Sequence, residues 1–386
     1  MSRSVSIFGA TGSVGESALD LIAHEPDRWS VDVVTANKDA AGLAEAAKSC
    51  GAKLAVVADE AAYEELKAAL SGTGIEIAAG TDALADAATH EVDITLAAIV
   101  GAAGLVPTLK TIERGGDIAV ANKESLVCAG DILTAAAAKS GSRLLPVDSE
   151  HNAIFQVFDF DAPDSVRRII ITASGGPFRT LTTAEMRDKT PEEAVAHPVW
   201  SMGAKISVDS ATLMNKGLEM IEAACLFPVA PDAIDVVVHP QSTVHSFVEY
   251  VDGSMLAQLG SPDMKTPIAY ALAWPERIDT PVEYLDLVKL ARLDFEAPDE
   301  ERFPALKLAR HAMTARGVAP IALNAANEVA VAAFLSKRVG FLDIAAIAAD
   351  VMADMGDEQV DGLDAVIACD GEARRLAEAG VAKREL

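Results

Sequence analysis

Val5-Ser-Ile-Phe-Gly-Ala-Thr-Gly-Ser-Val-Gly15 decides the reading of this chain. Val5 to Phe8 is a short run of β-formers. Gly9, Gly12 and Gly15 follow at intervals of three, and Glu16 to Ala23 reads as a helix. A strand, a glycine turn and a helix in this order form a Rossmann-type phosphate turn. The backbone can approach a pyrophosphate closely there, and the helix N-terminus supplies N–H donors and a positive dipole. Glycine spacing alone says little; the strand before it and the helix after it give it meaning.

Working outward, the next strand, Val31 to Thr35, ends in Ala36-Asn37-Lys38-Asp39, where a ribose-reading residue belongs. An amide and a lysine favour a 2′-phosphate, hence NADPH over NADH, while Asp39 pulls the other way. Strand and helix signals then alternate. Lys53 to Ala58, Val92 to Ile99, Asp117 to Ala121 and Arg143 to Val147 read as strands. Two of these run into Asn122-Lys123-Glu124-Ser125 and Asp148-Ser149-Glu150. In open α/β sheets ligands lie at the carboxyl ends of strands, which is where these polar clusters fall.

The 386 residues are 51% hydrophobic and 23% charged, as expected of a folded chain with ample core. A net charge of −26 argues against a nucleic-acid or anionic-membrane partner, because nothing offsets phosphate repulsion. A small anionic substrate is still compatible with a local cluster of lysines or a cation. Four widely spaced cysteines without a C-x-x-C pair suggest free thiols in a reducing cytosol. The start of the chain carries no signal-peptide core, so a cytoplasmic location is expected.

Asp148 and Glu150 are two apart, and on an extended segment both would point the same way. They can then share a cation, for which oxygen ligands suit Mg²⁺ or Mn²⁺; the alternative is a solvated acidic turn. Glu219 would supply a third oxygen. It lies in Lys205-Ile-Ser-Val-Asp-Ser-Ala-Thr-Leu-Met-Asn-Lys-Gly-Leu-Glu-Met-Ile-Glu222, which begins as strand-like alternation and turns helical at Asp209 or Ser210. Leu213, Met214, Leu218 and Ile221 form an apolar face, leaving Ser210, Asn215, Lys216 and Glu219 as the polar remainder. Either this is a surface helix with one Lys–Glu pair, or a hydroxyl, an amide and an ammonium gather for an anion beside a metal-binding carboxylate. Gly217 costs about 1 kcal/mol in mid-helix against alanine, so something should approach the backbone there.

Arg167 to Ala173 reads as a strand entering Ser174-Gly-Gly-Pro-Phe178, and the polar chain to Pro198, with Trp200 after it, reads as a lid over about 174–204. Ile234 to Val238, Val244 to Val251 and Ser254 to Leu259 are strands, the last two joined by an Asp252-Gly253 turn. A broad sheet of these strands could pack on a second copy, making a homodimer. The fold expected is α/β. A Rossmann-type domain spans 1–148, an α+β catalytic domain with the lid spans 149–280, a linker spans 281–304, and a small helical bundle spans 305–386.

Taken together, the chain resembles the 1-deoxy-D-xylulose 5-phosphate reductoisomerases, NADPH enzymes of the non-mevalonate isoprenoid pathway. The resemblance runs over essentially the whole length. It rests on the glycine turn, Ala121-Asn-Lys-Glu-Ser125, Val147-Asp-Ser-Glu-His-Asn152, Ala173-Ser-Gly-Gly-Pro-Phe-Arg179 and His197-Pro-Val-Trp-Ser-Met-Gly203. The Lys205–Glu219 stretch, His239-Pro-Gln-Ser-Thr-Val-His245 and Asn324-Ala-Ala-Asn-Glu328 complete it.

The resemblance implies that Thr11, Gly12, Ser13 and Val14 hold the NADPH pyrophosphate side and Asn37, Lys38 and Asp39 its adenosine end. Asn122, Glu124 and Gly203 complete the cofactor site. Asp148, Glu150 and Glu219 bind Mg²⁺ or Mn²⁺. Ser174, Ser210, Asn215 and Lys216 hold the phosphate of a small sugar substrate. Lys123, Ser149, Glu150 and His197 contact its oxygens, with Lys123, Glu150 and His197 as catalytic candidates, and Trp200 closes over it. Val199 and Asp39 depart from the family's usual polar residue and asparagine. A plain NADPH reductase without metal, and a nucleotide sensor without turnover, are the alternatives; activity lost on chelation separates the first from a reductoisomerase.

Overall fold

The computed structural model describes residues 2–200 and 202–385. The chain divides into two compact units: Met1–Ser125, Asp131–Asn152 and Asp263–Glu283 form the first, and Leu126–Gly130, Ala153–Pro262 and Tyr284–Leu386 the second.

The first unit is built on seven parallel strands. They are β1 (Arg3–Phe8), β2 (Trp29–Ala36), β3 (Leu54–Val57), β4 (Glu76–Ala79), β5 (Ile94–Ala97), β6 (Asp117–Val120) and β7 (Leu144–Pro146). Their order, β4-β3-β2-β1-β5-β6-β7, reverses direction between β1 and β5. That switch point is where the glycine turn leaves the sheet. β5 and β6 are buried along their whole length, as expected of parallel strands covered on both faces. Gly9 and Gly15 make the turn possible: a Cβ on Gly15 would lie 2.2 Å from the Gly9 carbonyl oxygen, and Gly9 has φ +94°.

The helix Lys265–Ala273 packs on β6, β7 and the helix Ser13–His24. Arg3 fixes its end by donating to the carbonyls of Leu272 (2.7 Å) and Trp274 (2.9 Å) and pairing with Asp117. Residues 263–280, assigned from sequence to the catalytic domain, therefore complete the first unit.

The second unit carries a mixed sheet of order β11-β10-β8-β9, with β8 (Val166–Ala173), β9 (Ile234–Val238), β10 (Val244–Tyr250) and β11 (Met255–Leu259). β8 and β9 are parallel, while β10 runs antiparallel to β8 and to β11. Helices Ala305–Ala315, Val318–Leu335, Asp343–Met355 and Leu363–Ala382 supply the C-terminal helical region. They have no core of their own: Leu323, Phe334, Ile347 and Ala373 belong to the same apolar cluster as Ile169, Ile171 and Val248 of the sheet. Val318–Leu335 is long and apolar enough to cross a membrane, but 78% of it is buried inside the fold, the mark of a core helix. All four cysteines are free thiols.

Candidate active site

In the first unit the site residues sit at the carboxyl ends of parallel strands, as the sequence suggested. Gly12 stands at the N-cap of the helix that begins at Ser13, three residues earlier than expected, without a side-chain cap. The first N–H groups of that helix therefore have no intrahelical acceptor, which is the arrangement that receives phosphate oxygens. Thr11 and Val14 flank this opening. Beyond β2, Asn37, Lys38 and Asp39 are all exposed, but the Asp39 carboxylate is engaged: it caps the helix Ala40–Cys50 by accepting from Gly42 N–H at 2.9 Å. Asn122 caps the helix Lys123–Ser140 through Ser125 N–H and donates to the carbonyls of Ile99 and Gly101. It thereby ties the loop after β5 to the start of that helix, next to buried Glu124.

Lys123 and Asp148 form an ion pair of 2.7 Å with side chains 9% and 11% exposed. Burial disfavours the Asp148 charge, yet the charges of Lys123 and His151 and the hydrogen bond from Lys123 outweigh it and hold the carboxyl below the usual range. Asp148 is thus a carboxylate in the neutral pH range. The Asp148–Glu150 segment is not extended. The helix Ser149–Val157 begins immediately after Asp148, whose carbonyl accepts from Asn152 N–H. Glu150 lies in the first helical turn, where Ser149 Oγ donates to it at 2.6 Å. Alternation along a strand was the wrong reason to associate the two acids.

In the second unit, Lys205–Glu222 departs from the sequence reading. The helix starts at Ala204 with Gly203 as N-cap and runs to Thr212; Asp209 is buried within it and does not cap it. Leu213 breaks it at φ 61°, and a second helix spans Met214–Leu226. The expected apolar face is correct, since Leu213, Met214, Leu218 and Ile221 are all buried. Gly217 does meet a close neighbour: a Cβ there would lie 2.6 Å from Ala309 Cβ. Glu219 is completely buried, and both Asn215 Nδ2 and Lys216 Nζ donate to its carboxylate at 2.5 Å. This excludes a merely solvated Lys–Glu pair.

Ser174, His197 and Ser210 also meet. His197 Nδ1 accepts the backbone N–H of Val199 (3.2 Å) and of Trp200 (2.9 Å), so its proton must sit on Nε2. That N–H donates to Ser174 Oγ at 2.8 Å, and Gly176 N–H donates to the same oxygen at 3.1 Å. The Ser174 hydroxyl proton is left pointing to a further acceptor, with Ser210 Oγ 3.5 Å away. Burial holds the His197 imidazole below its ordinary range. Trp200 stands 6.2 Å from the His245 ring. The expected lid is partly anchored: Phe178, Met186 and Ala194 lie in the core, and two capped single turns, Thr183–Met186 and Pro191–Ala194, interrupt it. Irregular backbone occupies the rest of it, at 174–182, 187–190, 195–200 and 202–203.

The sequence reading took Asp209 only as a possible helix cap and Asn327 only as part of a family motif, and did not pair them; they bond to each other at 2.7 Å. A contact between residues 118 apart leaves no local signal in the sequence.

Family models of 1-deoxy-D-xylulose 5-phosphate reductoisomerase match residues 5–130, its C-terminal domain 144–227, and a further C-terminal domain of the reductoisomerase 259–376. A reductoisomerase of Zymomonas mobilis is 56% identical over 377 residues, 98% of this chain and 97% of that one. The chain belongs to the 1-deoxy-D-xylulose 5-phosphate reductoisomerase family. The family member from Caulobacter vibrioides is 53% identical over 99% of this chain and 97% of its own. A solved Zymomonas mobilis reductoisomerase in complex with NADPH superposes with a TM-score of 0.94 at 55% identity, covering 99% of both chains. A second reductoisomerase, solved with NADPH, fosmidomycin and magnesium, superposes at 0.94 with 44% identity over 98% of both.

Proposed function

We propose that this chain converts 1-deoxy-D-xylulose 5-phosphate to 2-C-methyl-D-erythritol 4-phosphate, rearranging the carbon skeleton and reducing it with NADPH. The observation that carries this reading is full-length membership of the reductoisomerase family.

Asp148, Glu150 and Glu219 would hold Mg²⁺ or Mn²⁺. The donor set fits: all three are carboxylates, Asp148 is kept ionised, and Glu219 is oriented by two donors. When bound, the cation supplies Lewis-acid polarisation of neighbouring ketone and hydroxyl oxygens, and NADPH supplies hydride. The glycine turn with Thr11, Gly12, Ser13 and Val14 would receive the pyrophosphate, Asn37, Lys38 and Asp39 the adenosine end, and Asn122, Glu124 and Gly203 the remainder.

Ser174, Ser210, Asn215 and Lys216 would bind the substrate phosphate. His197 prepares Ser174 for this by donating to its oxygen, which leaves the hydroxyl proton available for a phosphate oxygen. Lys123 and Ser149 would contact the sugar hydroxyls, and Lys123 and Glu150 are the groups assigned to hold or move protons there. Trp200 would close over the substrate and exclude water.

The deciding experiment follows NADPH oxidation with 1-deoxy-D-xylulose 5-phosphate, with Mg²⁺ and with excess chelator. Metal-dependent oxidation giving methylerythritol phosphate is expected. A folded, NADPH-binding protein silent in both conditions would remove the proposal. Glu219→Gln keeps the side-chain shape and removes the charge. It should raise the Mg²⁺ concentration for half-maximal rate by at least about tenfold.

Two further statements belong to this proposal. The enzyme would act in the cytoplasm, consistent with four free thiols. It would be a homodimer through the outer strands of the second sheet, where Met255, Leu256 and Leu259 are 46%, 49% and 37% exposed.

A further inference from the structure

Asn324-Ala-Ala-Asn-Glu328 has no part in the roles assigned above. It lies within the helix Val318–Leu335, and both asparagines are completely buried in an otherwise apolar stretch. An amide in such surroundings is costly unless it is bonded. Asn324 Nδ2 is bonded within its own helix, to Glu328 at 3.2 Å. Asn327 reaches outside it: Nδ2 donates to Asp209 Oδ1 at 2.7 Å. Asp209 is itself only 1% exposed, and its other oxygen pairs with Lys205 Nζ, one turn earlier, at 2.9 Å.

Asp209 immediately precedes Ser210, and consecutive helical residues are set about 100° apart around the axis. Whatever fixes the direction of Asp209 therefore fixes the direction of Ser210. Val208 and Ala211 seat the same helix in the apolar core, and the Asn327–Asp209 bond adds a directional polar contact one residue from Ser210, just before the helix ends at the left-handed Leu213, a conformation disfavoured for L side chains. Thr212 stabilises that break by donating to the carbonyls of Val208 and Asp209 and accepting from Met214 N–H. Gly176 abuts the Ser210 carbonyl from the other side; a Cβ there would be 2.6 Å from that oxygen.

We infer that Asn327 is a positioning residue for phosphate binding: through Asp209 it sets the rotation of the helix Ala204–Thr212 so that Ser210 faces Ser174. This rests on the proposed phosphate-binding role of Ser174, Ser210, Asn215 and Lys216. It gives the C-terminal helices a function beyond filling the core.

The test is steady-state kinetics on the full chain. Asn327→Leu keeps the volume and removes the donor. Losing a hydrogen bond to a charged group should raise KM for 1-deoxy-D-xylulose 5-phosphate by about tenfold or more, with kcat and the NADPH KM within about twofold. The exchange Asp209→Asn with Asn327→Asp restores a donor and an acceptor in reversed roles and should recover most of the substrate KM. Asn327→Ser, too short to reach Asp209, replaces the leucine variant if that one is not recovered folded. An unchanged substrate KM would overturn the inference. So would both KM values rising together with a lower melting temperature and no recovery in the exchange. Inorganic phosphate separates the levels: a wild-type chain neither stabilised by phosphate nor active overturns the phosphate site and the inference with it. Normal wild-type behaviour that persists in Asn327→Leu overturns the inference alone.

Discussion

At His197 a single proton has two incompatible neighbours. Protonating the ring would place a hydrogen on Nδ1 facing the N–H groups of Val199 and Trp200. Burial and this geometry both favour the neutral ring in the folded chain and hold its pKa below the ordinary imidazole range. With the folded pKa depressed, the unfolded state binds more protons below about pH 6.5. The contribution of His197 is then fully present above that pH and lost as the pH falls. The melting-temperature difference between wild type and His197→Asn should shrink on acidification below about pH 6.5, which a pH series of thermal scans would measure. Gly217 gives a second test, because two effects oppose each other. Helix propensity favours Gly217→Ala by about 1 kcal/mol. The 2.6 Å approach to Ala309 should outweigh it at about 1–3 kcal/mol of overpacking. Net destabilisation by up to about 2 kcal/mol is expected in denaturant unfolding. That something crowds Gly217 was legible from its place in a helical pattern; what crowds it was not, because Ala309 is remote in sequence.

Among the elements, those with strong local signals were read nearly to their ends. Ile234–Val238 and the Asp252-Gly253 hairpin are where the pattern put them. Lys205–Val208 was not, because K-I-S-V alternates equally well in a strand and in the first turn of a helix. The helix Ala204–Thr212 as a whole packs on the helix Val318–Leu335, and no local rule contains that contact. β4 and the helix Thr81–Ala87 were not read at all, being only four and seven residues long. Asp39 links element and site. As an N-cap it contributes about 1 kcal/mol, and asparagine caps equally well. Asp39→Asn should therefore leave stability within about 0.5 kcal/mol. If the adenosine end of NADPH lies here as proposed, removing a negative charge beside its 2′-phosphate should also lower the NADPH KM by roughly two- to fivefold, and titration at two salt concentrations would show the gain shrinking with screening.

For the whole molecule, the alternation of strands and helices made the seven-stranded sheet legible, but the domain limits were not. Alanine-rich helices after residue 305 look self-contained in sequence because each has its own apolar stripe. In the fold those stripes meet Ile169, Ile171 and Val248 in one core. Deleting residues 305–386 should therefore leave no folded second unit, checked by soluble yield and circular dichroism of the truncated chain. If the proposed dimer uses the outer strands, Leu256→Lys should yield monomers in analytical ultracentrifugation with the circular dichroism spectrum retained. The return of Asp263–Glu283 to the first unit also bears on how the protein is made. β7 is finished at Pro146, yet the helix that covers β6 and β7 is encoded about 120 residues later. At about 5–20 residues per second, the ribosome leaves that apolar face open for roughly 6–24 s. For this interval the nascent chain carries a sheet without its cover, and slowing translation between codons 147 and 264 would prolong its exposure to aggregation and to chaperones.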